Sequence, residues 1–217
     1  MFFCGVSIHY GSEVMERKVQ SSIKDKALLS EKRILLCKTC AKLFRKNGYH
    51  NTTIQKIADE SGISVGSIYR YVKTKEDIMY LMLEHYSNLM DTEVCSVVEM
   101  EIPPFEKLYL AMRNYYTLID HHVDYYHVSL RDMKFISGFR TALQKRENLT
   151  IEYFARILRE GIAKEEFADI PVEVLSYNLV MFGQLWILRS YRFRGEDLNS
   201  YIRQQFELVE KLLKKSV

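Results

Sequence analysis

The sequence predicts an all-α protein of about nine helices, on three observations. Apolar residues recur at spacings of three and four through most of the chain. Only 9 Gly and 3 Pro stand among 217 residues, too little punctuation for the many turns of an all-β fold. Glycines and capping patterns fall where the periodic stretches stop and start. No apolar run approaches the roughly 18 residues of a membrane span.

The elements follow in order. Residues 1–29 show no sustained periodicity and read as a flexible arm. Their opening, MFFCGVSIHYGSEV, lacks the positive start and small-residue cleavage site of a signal peptide. Met15 opens MERKVQSSIKDK and offers an alternative start that leaves residues 1–14 outside the natural protein. From Ser30 a helix is expected, with Ile34, Leu35, Cys37, Ala41 and Phe44 inward and Gly48 as its stop. Thr52 or Thr53 caps a second helix, with Ile54, Ile57 and Ala58 buried, ending at Gly62. Ser64 caps a short third helix whose Ile68 and Val72 face inward. Thr74-Lys75-Glu76-Asp77 is a capping-box pattern opening a longer fourth. Further helices are expected in FEKLYLAMRNYYTLID after Pro103-Pro104, in HVSLRDMKFISGFR, in LTIEYFARILREGIA, in Val172–Tyr191 after Pro171, and in LNSYIRQQFELVEKLLKK.

The second and third helices, joined by a tight turn at Glu60-Ser61-Gly62-Ile63, form the skeleton of a helix-turn-helix. A helix entering a major groove about 12 Å wide needs small residues at its leading end. Val65, Gly66 and Ser67 supply them. Tyr69, Tyr71 and Lys75 offer hydroxyls and a charge suited to phosphates, which fix register without reading sequence. Charge is divided in the same sense. Met1–Glu76 holds 14 Lys/Arg against 7 Asp/Glu, net +7, and Asp77–Val217 holds 17 against 21, net −4. A basic first third points to an anionic partner there. Arg17, Lys18, Lys24 and Lys26 make the arm basic, suited to a DNA backbone or minor groove or simply to solvent.

Residues 33–78, RILLCKTCAKLFRKNGYHNTTIQKIADESGISVGSIYRYVKTKEDI, resemble the DNA-binding domain of the TetR/AcrR family of transcriptional regulators. The shared features are Phe44, Gly48 and Tyr49, then TTIxxIAxxSGIS, then GSIYxYVxxKEDI, all at fixed offsets over about a fifth of the chain. The resemblance implies an arm at 1–29, a DNA-binding domain at 30–76 and an effector-binding and dimerisation domain at 77–217. It implies a cytoplasmic homodimer on a palindromic double-stranded operator. By position, Thr53, Ser64, Tyr69 and Lys75 hold phosphates, and Gln55, Val65, Gly66, Ser67 and Arg70 meet bases. Arg70 suits either a guanine edge or a phosphate. Gln55 suits either a base or a capping box with Thr52, and Tyr71 either DNA or the core.

In the family, the last two helices form a four-helix bundle across the dimer axis. Val172–Tyr191 is apolar nearly all round, and the final helix carries Leu198, Tyr201, Ile202, Phe206, Val209, Leu212 and Leu213 at matching spacing. Between lies an expected effector cavity rich in Tyr, Phe and Met, Met133 and Phe135 among them, suited to a hydrophobic small molecule. Tyr116, Tyr126, His127, Arg131, Asn178, Phe182 and Trp186 are the candidate ligand-binding residues, with Gln184 a further polar fixture. Acyl-CoA thioesters, bile-acid or steroid-like compounds and multidrug cations all suit such a cavity, and Arg131, Lys134 and Arg140 near aromatics lean the choice slightly towards an acyl-CoA.

No enzyme site can be assembled. Cys37-Lys38-Thr39-Cys40 lies within a helix with no second ligand pair, and His121, His122 and His127 lack telling partners. There is no phosphate-cradling glycine loop and no nucleophile elbow; neither metal nor cofactor is expected. Four cysteines without a paired framework fit a reducing compartment. The expected function is a repressor released by its ligand. The alternative is an architectural DNA binder or activator without an effector.

Overall fold

A computed structural model describes residues 19–215 apart from 133–135, 137 and 194. Residues 1–14, Arg17, Lys18, Met133, Lys134 and Phe135, invoked above, lie outside the described residues. The described chain is helical throughout: α1 (Lys26–Asn47), α2 (Ile54–Ser61), α3 (Val65–Tyr71), α4 (Lys75–Met90), α5 (Ser96–Val98), α6 (Pro104–His121), α7 (Val123–Asp132), α8 (Phe139–Ala163), α9 (Val172–Leu188) and α10 (Leu198–Leu213). A π-helical turn at Asp91–Cys95 runs α4 straight into α5, so the described residues form nine separate helices, as expected. None is long and apolar enough to cross a membrane.

Most starts and stops have the local causes the sequence suggested. Gly48 ends α1 at φ 84° and Gly62 ends α2 in the left-handed region at φ 69°, conformations that cost glycine least. Thr53 caps α2, Ser64 caps α3, and the Thr74–Asp77 capping box opens α4.

Three boundaries differ. α1 begins at Lys26 rather than Ser30, because Asp25 Oδ1 accepts from Ala27 N at 2.9 Å and Leu28 N at 3.1 Å. Its buried stripe is Leu36, Cys37, Cys40 and Phe44, with Ile34 half-buried and Leu35 exposed. The end of the expected arm is also tied down: Ser22 N and Ser21 Oγ donate to Arg70 O at 3.1 and 2.8 Å. The helix expected across HVSLRDMKFISGFR is interrupted, with Gly138 at φ 74° preceding α8. α8 therefore starts ten residues before Leu149, where the pattern of apolar residues first became legible.

α1 packs against α2, α3, α4 and α7. Ile57, Ile68 and Val72 are fully buried, and Ala58 and Ile63 nearly so; these five hold the helix-turn-helix together. Around α6 gather α8, α9 and α10, so tightly that a Cβ at Gly183 would lie 2.7 Å from the Tyr116 ring. The Cys37 and Cys40 thiols are free, buried and pushed up in pKa by burial, Cys37 to about 12. That makes them packing groups.

Candidate nucleic-acid interface and internal cavity

The helix-turn-helix presents one face outward. Thr53, Gln55, Ser64, Gly66, Tyr69 and Arg70 are exposed, and Val65 and Ser67 are half-buried. Thr53 Oγ1 accepts from Lys56 N at 3.2 Å, and Ser64 Oγ accepts from Ser67 N at 3.3 Å while donating to Ser67 Oγ at 3.0 Å. Gln55 closes no capping box: its Nε2 donates to Asp59 Oδ1 at 2.8 Å, one turn along. Tyr69 is 52% exposed. The carbonyl end of α3 is held by the segment before α1 and by Arg33, whose Nη2 donates to Tyr71 O at 3.1 Å.

Two of the expected contacts turn inward. Tyr71 is 8% exposed and belongs to the core. The Lys75 ammonium donates to Tyr49 O at 2.6 Å and Thr52 O at 3.0 Å, and sits 4.2 Å from the centre of the Tyr49 ring. It ties the first turn of α4 to the α1–α2 loop, because the two carbonyls there need donors.

Gly66 is informative for what it lacks. Its φ is not positive, and a Cβ built on it would meet nothing within 4 Å. A glycine inside a helix costs about 0.5–1 kcal/mol relative to alanine, and no neighbour among the described residues asks for it.

The second feature is a cavity of about 200 Å³ enclosed by α4, α6, α7, α8 and α9. Its wall is phenolic. The Tyr86 and Tyr126 hydroxyls are 2.6 Å apart, Tyr115 OH stands 3.5 Å from Tyr126 OH, and Tyr125 stacks on Tyr86 at 5.0 Å. Burial pushes all of these phenols up in pKa, so they serve as neutral donors at pH 7. Arg146 reaches the wall from α8 at 3% exposure, its Nη1 donating to Asp91 Oδ1 at 2.7 Å. Burial disfavours its charge, but the bond to Asp91 and nearby groups outweigh that and raise its pKa. Leu130, Arg140 and Gln144, all exposed, lie on the solvent side.

Of the expected ligand-binding residues, only Tyr126 lines this cavity, together with the fixture Gln184. Tyr116, Trp186, Phe182 and Arg131 are engaged elsewhere in the fold. Tyr116 is fully buried and donates to Leu179 O at 2.9 Å. Trp186 Nε1 donates to Asp120 Oδ1 at 2.8 Å, and its ring stacks on Phe193. Phe182 O accepts from Tyr201 OH at 2.6 Å. Asn178 and His127 are half-buried and line no part of the cavity. Arg131 donates to Phe44 O and Arg45 O at the end of α1 and forks onto Asp132 at 3.0 and 2.9 Å. Asp132 in turn accepts from Tyr49 N at 3.2 Å. Arginine near aromatics read as a ligand hook, but at a helix end it meets bare carbonyls first. Arg146 and Asp91 were missed because each stands in a polar stretch that reads as solvated surface, and only the fold brings them together.

An outward, small-residue recognition helix on a two-helix unit, attached to a helical body with an internal cavity, defines a helix-turn-helix transcriptional regulator. The description of bacterial regulatory proteins of the tetR family matches residues 36–80. The HTH-type transcriptional regulator HbdR of Aromatoleum sp. (strain CIB) is 30% identical over 193 residues, covering 88% of this chain and 84% of that protein. The chain belongs to the tetR family. The fatty acid metabolism regulator protein of Bacillus subtilis (strain 168) is 27% identical over 76% of this chain and 86% of that protein. In fold, the chain is similar to AibR solved with isovaleryl coenzyme A and operator DNA, at a TM-score of 0.67 and 18% identity over 81% of this chain and 96% of that one.

Proposed function

We propose that this transcriptional regulator is a homodimeric repressor released from a palindromic operator by a hydrophobic small molecule. The observation that carries the DNA half is the outward face of α3, where Gly66 has no internal reason to be glycine and Tyr69 is exposed. On this reading Thr53, Ser64 and Tyr69 hold phosphates, while Gln55, Val65, Gly66, Ser67 and Arg70 approach base edges. Residues 30–76 form the DNA-binding domain, and residues 77–217, from α4 onward, form the effector and dimer domain.

The dimer reading rests on an apolar stripe. Val174, Tyr177 and Leu185 on α9 and Leu208 and Leu212 on α10 are 44–57% exposed. Side chains of that size at helical spacing are suited to a second copy. Free thiols suit a cytoplasmic setting.

Release works by population shift. α7 carries Tyr125, Tyr126, Ser129 and Leu130 on the cavity, and at its end Arg131 and Asp132 grip the C-terminus of α1. A ligand that displaces α7 therefore tilts the helix-turn-helix, with α4 as a second lever. The recognition helices then lose the spacing of one DNA turn, about 34–36 Å. Coupling is bounded by the ligand's differential affinity for the two states, typically 1–3 kcal/mol. Acyl-CoA thioesters are the favoured effectors, with the acyl part inside and Arg140 near the entrance. A relative named for fatty acid metabolism and a similar fold solved with an acyl-CoA support that choice.

The test is selection of duplexes from a random pool by the purified protein. Two-fold-related half-sites one turn apart, bound with steep salt dependence, are the expected product. Binding without sequence preference makes the protein architectural and ends the operator reading. Release of the selected duplex by acyl-CoA thioesters tests the effector.

A further inference from the structure

We infer that the cavity recognises a carboxylate on its ligand through the free edge of Arg146, and that Asp91 transmits this contact to α4. The inference rests on the ligand-release reading above and names the chemistry of that site.

Arg146 is nearly fully buried and uses one nitrogen, Nη1, on Asp91 Oδ1 at 2.7 Å. Its Nε and Nη2 meet no oxygen or nitrogen acceptor among the described residues, and the Cys95 sulfur is a weak side-chain partner of the guanidinium. These two N–H groups share one edge of the guanidinium plane and point in parallel, the fork that matches the two oxygens of a carboxylate. Leaving two donors of a buried cation without a strong acceptor is costly, and a structural role for Arg146 gives no reason to accept that cost. Neither neighbour is a strong acceptor: the centre of the Tyr153 ring lies 5.6 Å from Cζ, and the Cys95 sulfur accepts only weakly. Glu147, the acid on the same wall, is engaged by Gln184 Nε2 at 2.9 Å.

The surroundings fit the rest of such a ligand. Tyr86, Tyr115, Tyr125 and Tyr126 line the same cavity as Arg146, and the Tyr115–Tyr126–Tyr86 hydroxyl chain supplies neutral donors. A volume of about 200 Å³ lies below the roughly 300–1,000 Å³ of drug-sized pockets, so the enclosed part of the ligand is small. The carboxylate belongs either to a free acid or to the far end of an acyl thioester whose carrier stays outside.

Asp91 gives the contact a consequence. It opens the π-helical turn that prolongs α4, a distortion frequent at functional sites, and it also accepts from Tyr153 OH at 3.3 Å. A ligand carboxylate competes with Asp91 for one guanidinium and so loads the end of the helix that begins at the DNA-binding unit.

The experiment is calorimetric titration of the full-length protein with butyrate, hexanoate, benzoate and phenylacetate, each beside its amide, and with hexanoyl-CoA and adipoyl-CoA. At least one acid, or adipoyl-CoA, is expected to bind roughly tenfold to a hundredfold tighter than its partner lacking the carboxylate. Adipoyl-CoA binding with silent acids identifies the thioester as the source. Arg146→Lys, which keeps the charge opposite Asp91 but loses the fork, is expected to lose that preference with its circular dichroism unchanged. Should that variant fail to fold, Asp91→Asn keeps the fork and should retain the preference. Amides binding as well as their acids, together with hexanoyl-CoA binding as well as adipoyl-CoA, overturns the carboxylate while leaving a hydrophobic effector standing. Silence of every probe overturns it too, and release of the selected duplex by neutral hydrophobes then decides the effector reading separately.

Discussion

The outward face of α3 and the wall of the cavity are unlike in every local respect, yet both carry residues that the protein's own packing does not explain. On α3 the unexplained residues are exposed: Gly66 with open space where its Cβ would be, and Tyr69 at 52% exposure. On the cavity wall the unexplained residue is buried, Arg146 with two donors that meet no oxygen or nitrogen acceptor among the described residues. A surface side chain without a role costs little, whereas a buried cation left half-satisfied costs much. The comparison teaches where to look for a partner: outside the molecule in the first case, inside it in the second.

The comparison is most easily broken at two neighbouring residues of α3. Ile68 is fully buried and Tyr69 half open. Ile68→Ala should destabilise the fold by about 2–5 kcal/mol, since a cavity replaces a core side chain. Tyr69→Ala should change stability by no more than about 0.5 kcal/mol while weakening binding to all duplexes. Urea unfolding and fluorescence anisotropy on labelled duplex separate the two. Equal losses of stability would make α3 an ordinary core helix, and unchanged duplex affinity in Tyr69→Ala would remove it from the interface.

Glycines sharpen the contrast with effects of opposite sign. A Cβ on Gly161 would fall 2.2 Å from Cδ2 of the Phe167 ring, so Gly161→Ala should cost about 1–3 kcal/mol through overpacking. Gly66→Ala meets nothing and should stabilise the free protein by about 0.5–1 kcal/mol. If α3 enters a groove, the same methyl lowers operator affinity, so stability and binding move in opposite directions. A Gly66→Ala protein that binds its selected duplex as well as wild type leaves the glycine without the explanation offered here.

These two regions also differ in how far the sequence reveals them. The helix-turn-helix is local: Gly62 stops α2, Ser64 caps α3, and Ile57, Ala58, Ile63 and Ile68 close a core within a dozen positions. The helix-turn-helix pattern therefore points to Val65, Gly66, Ser67 and Tyr69, the family resemblance adds Thr53, Gln55, Ser64 and Arg70, and only Tyr71 and Lys75 turn the other way, drawn in by the core and by two loop carbonyls. The cavity is assembled from residues such as Tyr86, Tyr126, Arg146 and Gln184, on four elements far apart in the chain, with Asp91 behind Arg146. Nothing in the spacing of RENLT distinguishes Arg146 from a solvated arginine, and α8 was legible only from Leu149. Aromatic residues were the visible signal, but Tyr116, Phe182 and Trp186 are spent on packing and backbone bonds. Arg131, read as a ligand hook, closes the end of α1 instead.

The smallest expected effect lies at the joint between the regions, where His85 on α4 faces His122 between α6 and α7, ring centres 6.1 Å apart. Burial lowers the pKa of both, with Lys38 adding to it for each and His85 adding to it for His122. The folded protein therefore holds these imidazoles neutral at a pH where the unfolded chain protonates them. A lowered folded pKa contributes stability that is present above the ordinary histidine value and is lost as pH falls through the folded value. The melting temperature should accordingly decline from about pH 8 to about pH 5.5. His122→Gln should flatten the decline, because it removes one of the two groups and relieves the other of a like charge. Both rings are only half-buried, so solvent screening keeps the effect modest. Because α1, α4 and α7 meet here, the same acid shift should loosen the grip of α7 on α1 and weaken duplex binding in wild type more than in His122→Gln. A melting temperature flat across that range in wild type would remove the histidines from the joint and leave Arg131, Asp132 and the Arg45–Asp124 ion pair as its polar connections.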